Sequence, residues 1–84
     1  MGMVGKKFKA IENTDIGIPV EKGTTIKIVR RLDTLGESYN FVFINITGNL
    51  SKRRIKHLKG MSWRICKYTL LDNFILLSNS IRKL

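Results

Sequence analysis

The sequence predicts a mainly β fold: a small, strongly bent antiparallel barrel followed by a C-terminal extension. A glycine turn at residues 21–23 leads into residues 24–31, where β-branched side chains alternate with polar ones. Residues 39–46 have the same strand character. A turn at residues 47–49 then leads to a basic segment at residues 51–59. This order places positive charge at one end of the predicted barrel.

The first part of the chain predicts one strand and a long loop. Residues 1–6 contain two glycines and show no apolar periodicity, so we expect a flexible N-terminus. Residues 7–11 alternate polar and apolar side chains, which predicts a strand with Phe8 and Ala10 facing inward. Turn-forming residues follow, and Pro19 limits the next segment to a sheet edge or an irregular stretch.

The two central strands are predicted to differ in the polarity of their faces. Residues 24–31 place Ile26 and Ile28 on one face, and the other face carries Lys27, Val29 and Arg31. Residues 39–46 carry aromatic side chains on one face and aliphatic ones on the other: Tyr39, Phe41 and Phe43 against Val42, Ile44 and Ile46. Because both faces are apolar, we expect a central strand covered twice, with the C-terminal extension as the second cover.

The C-terminal half predicts a helical turn, a strand and one further element. Ser51 is suited to cap a single helical turn that brings Ile55 and Leu58 to the same side. Residues 61–68 alternate like a strand. After them, large apolar side chains recur at helix spacing: Leu70, Phe74, Leu77, Ile81 and Leu84. A helix over residues 70–84 and a hairpin turning at Asp72 and Asn73 both remain open, and the apolar stripe is either a cover for the barrel or a homodimer seam.

These elements predict one domain of 84 residues in three parts. Residues 1–6 form the flexible N-terminus, residues 7–59 the barrel, and residues 60–84 an extension packed on it. The longest apolar cluster, at residues 70–77, is interrupted by polar residues and is too short to span a bilayer. No segment of the chain resembles a signal peptide.

Composition indicates an anionic partner in a reducing compartment. Sixteen Lys and Arg against six Asp and Glu give a formal charge of +10 and a pI near 10.3. Such a field attracts nucleic acid, an acidic protein or an anionic membrane, although a solvated surface is the alternative. The single cysteine, Cys66, excludes an internal disulfide and predicts a cytoplasmic protein, nucleoid-associated or otherwise. We expect Cys66 to fill the core and His57 to lie on the surface.

The spacing of these features resembles the SH3 family, including bacterial-type SH3 domains, over residues 7–58. Residues 18–23 are similar to the family's run into its diverging turn, and residues 26–29 to the strand that follows. Residues 36–39 stand where Gly-Glu-Trp often begins the next strand. Residues 48–58 match the spacing of the family's closing stretch, which ends in its last strand. The resemblance implies a five-stranded SH3-like barrel with a C-terminal extension.

The residues with which the family grips proline-rich peptides are largely replaced. Lys9 or Ile11 stands at the aromatic position of the first strand, and Tyr39 stands at the tryptophan position. Ser51 replaces the proline and Arg54 replaces the tyrosine. Proline-rich peptide binding is therefore not expected, and the groove floor is predicted to be basic.

The densest charge run predicts an anion-binding surface, which Tyr39 or Trp63 would complete by stacking. Its cations are Lys52, Arg53, Arg54, Lys56 and Lys59, extended by Arg30, Arg31, Arg64 and Lys67. We expect a non-catalytic module that binds DNA or RNA through phosphates. The alternatives are a protein-interaction module, such as a small phage-type inhibitor that docks on an acidic surface of its partner, and a membrane or scaffold domain. No second histidine, paired cysteine or acidic cluster completes a catalytic, metal or cofactor site.

Overall fold

The computed structural model describes residues 2–33 and 36–77, and within them the chain is mainly antiparallel β structure with two short helices. In chain order the elements are β1 (Lys7–Ala10), β2 (Thr14–Asp15), β3 (Pro19–Val20), β4 (Thr25–Asp33), β5 (Glu37–Asn45), α1 (Lys52–Lys59), β6 (Trp63–Cys66), α2 (Lys67–Asn73) and β7 (Phe74–Leu76). The strands predicted at the start and centre of the sequence are all present.

One five-stranded sheet carries the fold. Its strand order is β6-β5-β4-β1-β7, and every neighbouring pair is antiparallel. Strands β2 and β3 form a separate two-stranded sheet in the connection between β1 and β4. Within the described residues the edge strands β6 and β7 do not pair with each other. The sheet therefore has two edges.

A single apolar core lies on one face of the sheet. The side chains predicted to face inward are buried, among them Phe8, Ile26, Ile28 and Phe41, each at most 2% exposed. The rings of Phe41 and Phe43 meet edge to face, with centroids 5.2 Å apart. Elements outside the central strands complete the core through Val20, Leu58, Ile65, Leu70 and Phe74.

The second face of β5 is not covered as predicted. Val42 is half-buried and Ile44 is 37% exposed. The prediction of a C-terminal cover is wrong because β6 and β7 join the edges of the sheet, while Leu70 of α2 packs into the core on the first face.

A β-bulge in β4 changes which face Arg31 occupies. Ile28 pairs with Phe41 and Arg31 pairs with Tyr39, and the register shifts between Ile28 and Arg30. Phe41 and Tyr39 share a face of β5, so Arg31 lies on the same face as Ile28. The prediction that placed Arg31 opposite Ile28 is wrong, because the extra residue in the bulge shifts the alternation by one.

Two predictions for the C-terminal half are corrected. Residues 52–58 lie in α1, where the family resemblance implied a closing stretch that ends in the last strand. The helix predicted over residues 70–84 begins earlier and ends at Asn73, and the alternative turn at Asp72 and Asn73 is also wrong because both residues lie in α2. Antiparallel pairing of β7 with β1 overrides the local helix spacing from Phe74 onward. Ile81 and Leu84 lie outside the described residues.

Hydrogen bonds and sheet pairing cross the boundaries predicted at residues 6 and 59. Gly5 donates a backbone hydrogen bond to Ile28 O at 2.7 Å, and Ile28 donates to Lys6 O at 3.0 Å. The segment expected to be flexible thus continues the pairing of β1 with β4. Strands on both sides of residue 59 likewise belong to the same sheet.

Candidate functional site

The predicted basic segment forms a capped helix. The Ser51 hydroxyl accepts a hydrogen bond from the Arg54 backbone N–H at 3.1 Å, which confirms the predicted N-cap. The helix runs for eight residues and ends at Gly60, whose N–H donates to Lys56 O and His57 O. It has about two turns rather than the single predicted turn.

The buried Thr24 and the half-buried Thr47 fix the connection that leads into α1. The Thr47 N–H donates to Thr24 Oγ1 at 3.2 Å, and the Thr47 hydroxyl donates to Lys22 O at 2.8 Å. Since the Thr47 hydroxyl has only one hydrogen, the contact of 3.1 Å between the two hydroxyls uses the hydrogen of Thr24. Thr24 is 1% exposed. These bonds tie the turn before β4 to the start of the β5–α1 connection.

Gly48 follows Thr47 and gives this connection a conformation that other residues rarely adopt. Its φ is +115°, a left-handed backbone conformation that favours glycine. The predicted turn at residues 47–49 therefore combines the threonine hydrogen bonds with a glycine at the position of positive φ.

The other end of α1 is anchored to the sheet by apolar contacts and by Trp63. Leu58 is 5% exposed and belongs to the core. The Trp63 indole N–H donates to Leu58 O at 3.0 Å, and its ring lies against Phe43 with centroids 6.3 Å apart. Trp63 thus holds the helix in place.

The side of α1 away from Leu58 carries four exposed cations: Lys52, Arg53, Lys56 and Lys59. At about 100° per residue, Lys52, Arg53 and Lys56 lie roughly 120–160° from Leu58 around the helix, and Lys59 lies about 100° from it, at the edge of this side. These four residues are called the α1 cationic face below. Arg54 is exposed but lies one turn before Leu58, at the edge of the buried side.

The cations in the first turn of α1 oppose the stability of the helix that carries them. The first turn holds Lys52, Arg53 and Arg54 and no acidic residue. A cation near a helix N-terminus meets the positive end of the helix dipole, at a cost of about 0.3–1 kcal/mol. Lys52 and Lys56 are also like charges at i and i+4, which costs a few tenths of a kcal/mol. Within the described residues, no carboxylate forms an ion pair with any cation of α1.

The cations predicted to extend the charge run of α1 fall into two groups: Arg30 with Arg64, and Arg31 with Lys67. Asn40 pairs with Arg30 on one side and with Arg64 on the other, so the two arginines flank it on the face opposite the core. Arg31 and Lys67 instead approach the Glu37 carboxylate, at 3.6 and 3.8 Å. Sequence spacing could not separate these two groups because the strand register decides it.

Tyr39 cannot stack on a base in this conformation. It is 1% exposed, so the prediction that made it a stacking platform is wrong. Tyr68, which the sequence interpretation did not single out, is 78% exposed next to Lys67. Tyr39 shares a strand face with Phe41 and Phe43, whereas Tyr68 falls in the same alternating set as Arg64 and Cys66 in the sequence and lies in α2.

Cys66 is exposed at the end of β6, so its predicted role as a core filler is wrong. Its Sγ lies 3.1 Å from Thr69 Oγ1. Hydrogen bonding from Thr69 lowers the pKa of the Cys66 thiol below its ordinary value of 9.0. His57 is exposed, as predicted.

The described part of the chain holds neither a metal-binding cluster nor a membrane-spanning helix. Residues 2–33 and 36–77 contain no group of three or more His, Cys, Asp or Glu side chains placed to hold a metal ion. Neither of the helices described above is long and apolar enough to cross a membrane.

The comparisons with known proteins give no family for this chain. No family model, curated protein or solved structure matches it. Its function is therefore argued from the geometry of its own residues.

Proposed function

We propose that this protein is a non-catalytic binding module that takes nucleic acid on the α1 cationic face. Binding would use phosphate contacts and have little sequence preference. The observation that carries the proposal is the first turn of α1, where three cations and no acid stand at the end of the helix that disfavours them. A polyanion at this face would turn a destabilising charge arrangement into a stabilising one.

The dimensions of α1 suit a regularly charged polymer. From Lys52 to Lys59 the helix is about 10 Å long. Over that distance duplex DNA carries about six phosphate charges. Four cations on one side of a rigid helix can therefore contact neighbouring phosphates without a conformational change.

The chemistry of the face favours nucleic acid over an acidic protein surface. Protein interfaces usually centre on buried aromatic or aliphatic anchors surrounded by a polar rim. The α1 cationic face offers Lys52, Arg53, Lys56 and Lys59 with His57 beside them, and its large apolar side chains, Ile55 and Leu58, point to the opposite side. Charge without an apolar anchor is the pattern of phosphate-backbone binding.

The fold proposal is an SH3-like small barrel in which α1 is an addition. Five antiparallel strands in one sheet and a single core on one face support it. In this interpretation β6 and β7 supply the last two strands, in place of the closing strand predicted at residues 48–58. The proposed setting is the cytoplasm, where nucleic acid is present and the exposed Cys66 stays reduced.

The test is to add the protein to fluorescently labelled duplex and single-stranded oligonucleotides at low salt and to measure binding by fluorescence anisotropy. The double variant Lys52→Gln/Lys56→Gln removes two contacts, which at about 0.1 M salt corresponds to a loss of roughly 60-fold in affinity. The control, Lys9→Gln/Lys22→Gln, removes the same charge from exposed positions outside α1. We expect the control to lose only a few-fold.

Two results would overturn the proposal. The first is the absence of binding to either oligonucleotide at low salt. The second is an equal loss of affinity in the two double variants, which would mean that net charge rather than α1 sets the affinity. If no oligonucleotide binds and a complex with an acidic protein survives nuclease treatment, the protein-interaction alternative replaces the nucleic-acid proposal.

A further inference from the structure

A cavity of about 480 Å³ opens at the sheet on the side of Arg31 and Glu37. This volume lies within the range of small-molecule sites, about 300–1,000 Å³. The apolar part of its wall includes Phe8, Tyr39, Leu71 and Leu76, which come from β1, β5, α2 and β7. Four elements of the folded domain therefore converge on one concave surface.

Cations outnumber acids around this cavity. Lys6, Arg31 and Lys67 line it together with a single carboxylate, that of Glu37. Glu37 lies 3.6 Å from Arg31 and 3.8 Å from Lys67, distances longer than a good charged hydrogen bond. Both cations thus keep donor capacity, and the described residues provide no ion pair for Lys6.

Tyr39 adds a buried polar group to the cavity wall. The residue is 1% exposed, and its hydroxyl makes no hydrogen bond in the part of the chain that the structure describes. Buried tyrosines usually find a partner for this group, because an unsatisfied buried hydroxyl is costly. An acceptor atom brought by a ligand would satisfy it.

We propose that this cavity binds a small organic carboxylate with an apolar body. The carboxylate would engage Arg31 and the neighbouring lysines. The guanidinium of Arg31 offers a carboxylate two parallel hydrogen-bond donors. The apolar body would contact Phe8, Leu71 and Leu76. Tyr39 would donate its hydroxyl hydrogen to an oxygen of the ligand. The cavity shares no residue with the α1 cationic face, so this inference does not rest on the proposed nucleic-acid function.

The experiment uses 4-phenylbutyrate and octanoate as probes, added to the ¹⁵N-labelled full chain and followed by amide NMR shifts. The matched neutral compound is 4-phenylbutanol, which keeps the apolar body and lacks the carboxylate. We expect saturable shifts at the amides of Phe8, Tyr39 and Leu71 with at least one acid, and affinity at least about tenfold weaker for the alcohol.

Two variants assign the binding to named groups. Arg31→Gln and Tyr39→Phe should each weaken carboxylate binding about tenfold, because each removes a hydrogen-bond donor to a charged acceptor. Tyr39→Phe keeps the shape of the ring, and its thermal unfolding shows whether the fold is retained. Lys22→Gln is the control for charge alone, since Lys22 is exposed in the turn before β4 and does not line the cavity.

The inference is overturned if neither acid shifts the cavity amides at millimolar concentration. It is also overturned if alcohol and acid bind equally, since the anionic group would then play no part. Equal weakening by Arg31→Gln and Lys22→Gln would exclude a specific site at this cavity in favour of a general effect of net charge.

Discussion

Two groups of cations in this small protein are arranged in opposite ways. At the rim of the cavity, Arg31 and Lys67 both approach the Glu37 carboxylate, and Arg31 also lies 3.4 Å from Asp33. On α1 the cations Lys52 and Arg53 stand at the helix end that disfavours positive charge, without an ion pair in the described part of the chain. The first group is partly neutralised by the fold, whereas the second is left open to solvent.

The difference teaches that net charge and charge placement carry separate information. A solvated basic surface needs only scattered lysines, each neutral or nearly so in its effect on stability. Local rules that a sequence breaks without compensation point to function rather than to folding. The first turn of α1 breaks the helix-dipole rule three times in succession. At the cavity rim Lys67, the first residue of α2, also stands at a helix N-terminus, but there it lies 3.8 Å from the Glu37 carboxylate.

The largest expected effect is on oligonucleotide binding, when charges are reversed either on α1 or at the cavity rim. Arg53→Glu/Lys56→Glu should weaken oligonucleotide binding by more than about 100-fold, because two phosphate contacts become repulsive. Arg31→Glu/Lys67→Glu makes the same change in net charge at the cavity rim, and we expect it to weaken binding only a few-fold, since distant charges are screened by salt. Anisotropy titrations of both variants check this. Similar losses would show that the two groups do not differ in function.

The next effect concerns the threonine pair that positions α1. Thr24→Val should lower the free energy of unfolding by about 1–3 kcal/mol, because it removes buried hydrogen bonds and leaves the Thr47 N–H without its partner. Thr25→Val is the matched control, since Thr25 is half-buried and makes no side-chain hydrogen bond within the described residues. Urea unfolding measures both variants. Equal stability of the two would contradict the role assigned to Thr24.

Charge reversal at the two ends of α1 should change the free energy of unfolding by smaller amounts and with opposite signs. Arg53→Glu should raise the free energy of unfolding by about 1 kcal/mol at low salt, because it exchanges an unfavourable charge for a favourable one near the helix N-terminus. Lys59→Glu should lower it by about 0.5–1 kcal/mol, because Lys59 lies at the favourable C-terminal end. Thermal unfolding at low and high salt checks both. A destabilised Arg53→Glu would show that the first turn is not electrostatically strained.

The smallest effect concerns Cys66. Because hydrogen bonding from Thr69 lowers the pKa of its thiol, the thiolate is populated at lower pH than in the unfolded chain. The rate of alkylation by iodoacetamide should therefore reach half its maximum below pH 9.0, and Thr69→Val should raise that midpoint. A midpoint unchanged by Thr69→Val would show that this hydrogen bond does not control the thiol.

The core and the main strands could be predicted from the sequence because their signals are local. The alternation of Phe8, Ala10, Ile26 and Ile28 identified the buried face, and Ser51 marked the start of α1. These features depend on neighbouring residues alone, so periodicity and capping preferences are sufficient to find them.

What could not be predicted depends on pairing between distant segments. The bulge after Ile28 moved Arg31 to the core face, and the pairing of β7 with β1 ended a helix that local spacing extends to residue 84. Tyr68 is exposed on α2, although the sequence alternation placed it in a strand. The cations of α1 were found as a run in the sequence, but their conflict with the helix dipole became visible only once the helix ends were known.

The most direct test of the central claim is the salt dependence of duplex binding. If Lys52, Arg53, Lys56 and Lys59 each contact a phosphate, the logarithm of the binding constant should fall with the logarithm of salt concentration with a slope of about −3.6. In Lys52→Gln/Lys56→Gln the slope should drop to about −1.8, for the two remaining contacts. The same slope in wild type and variant, or a slope near zero in the wild type, would contradict the account.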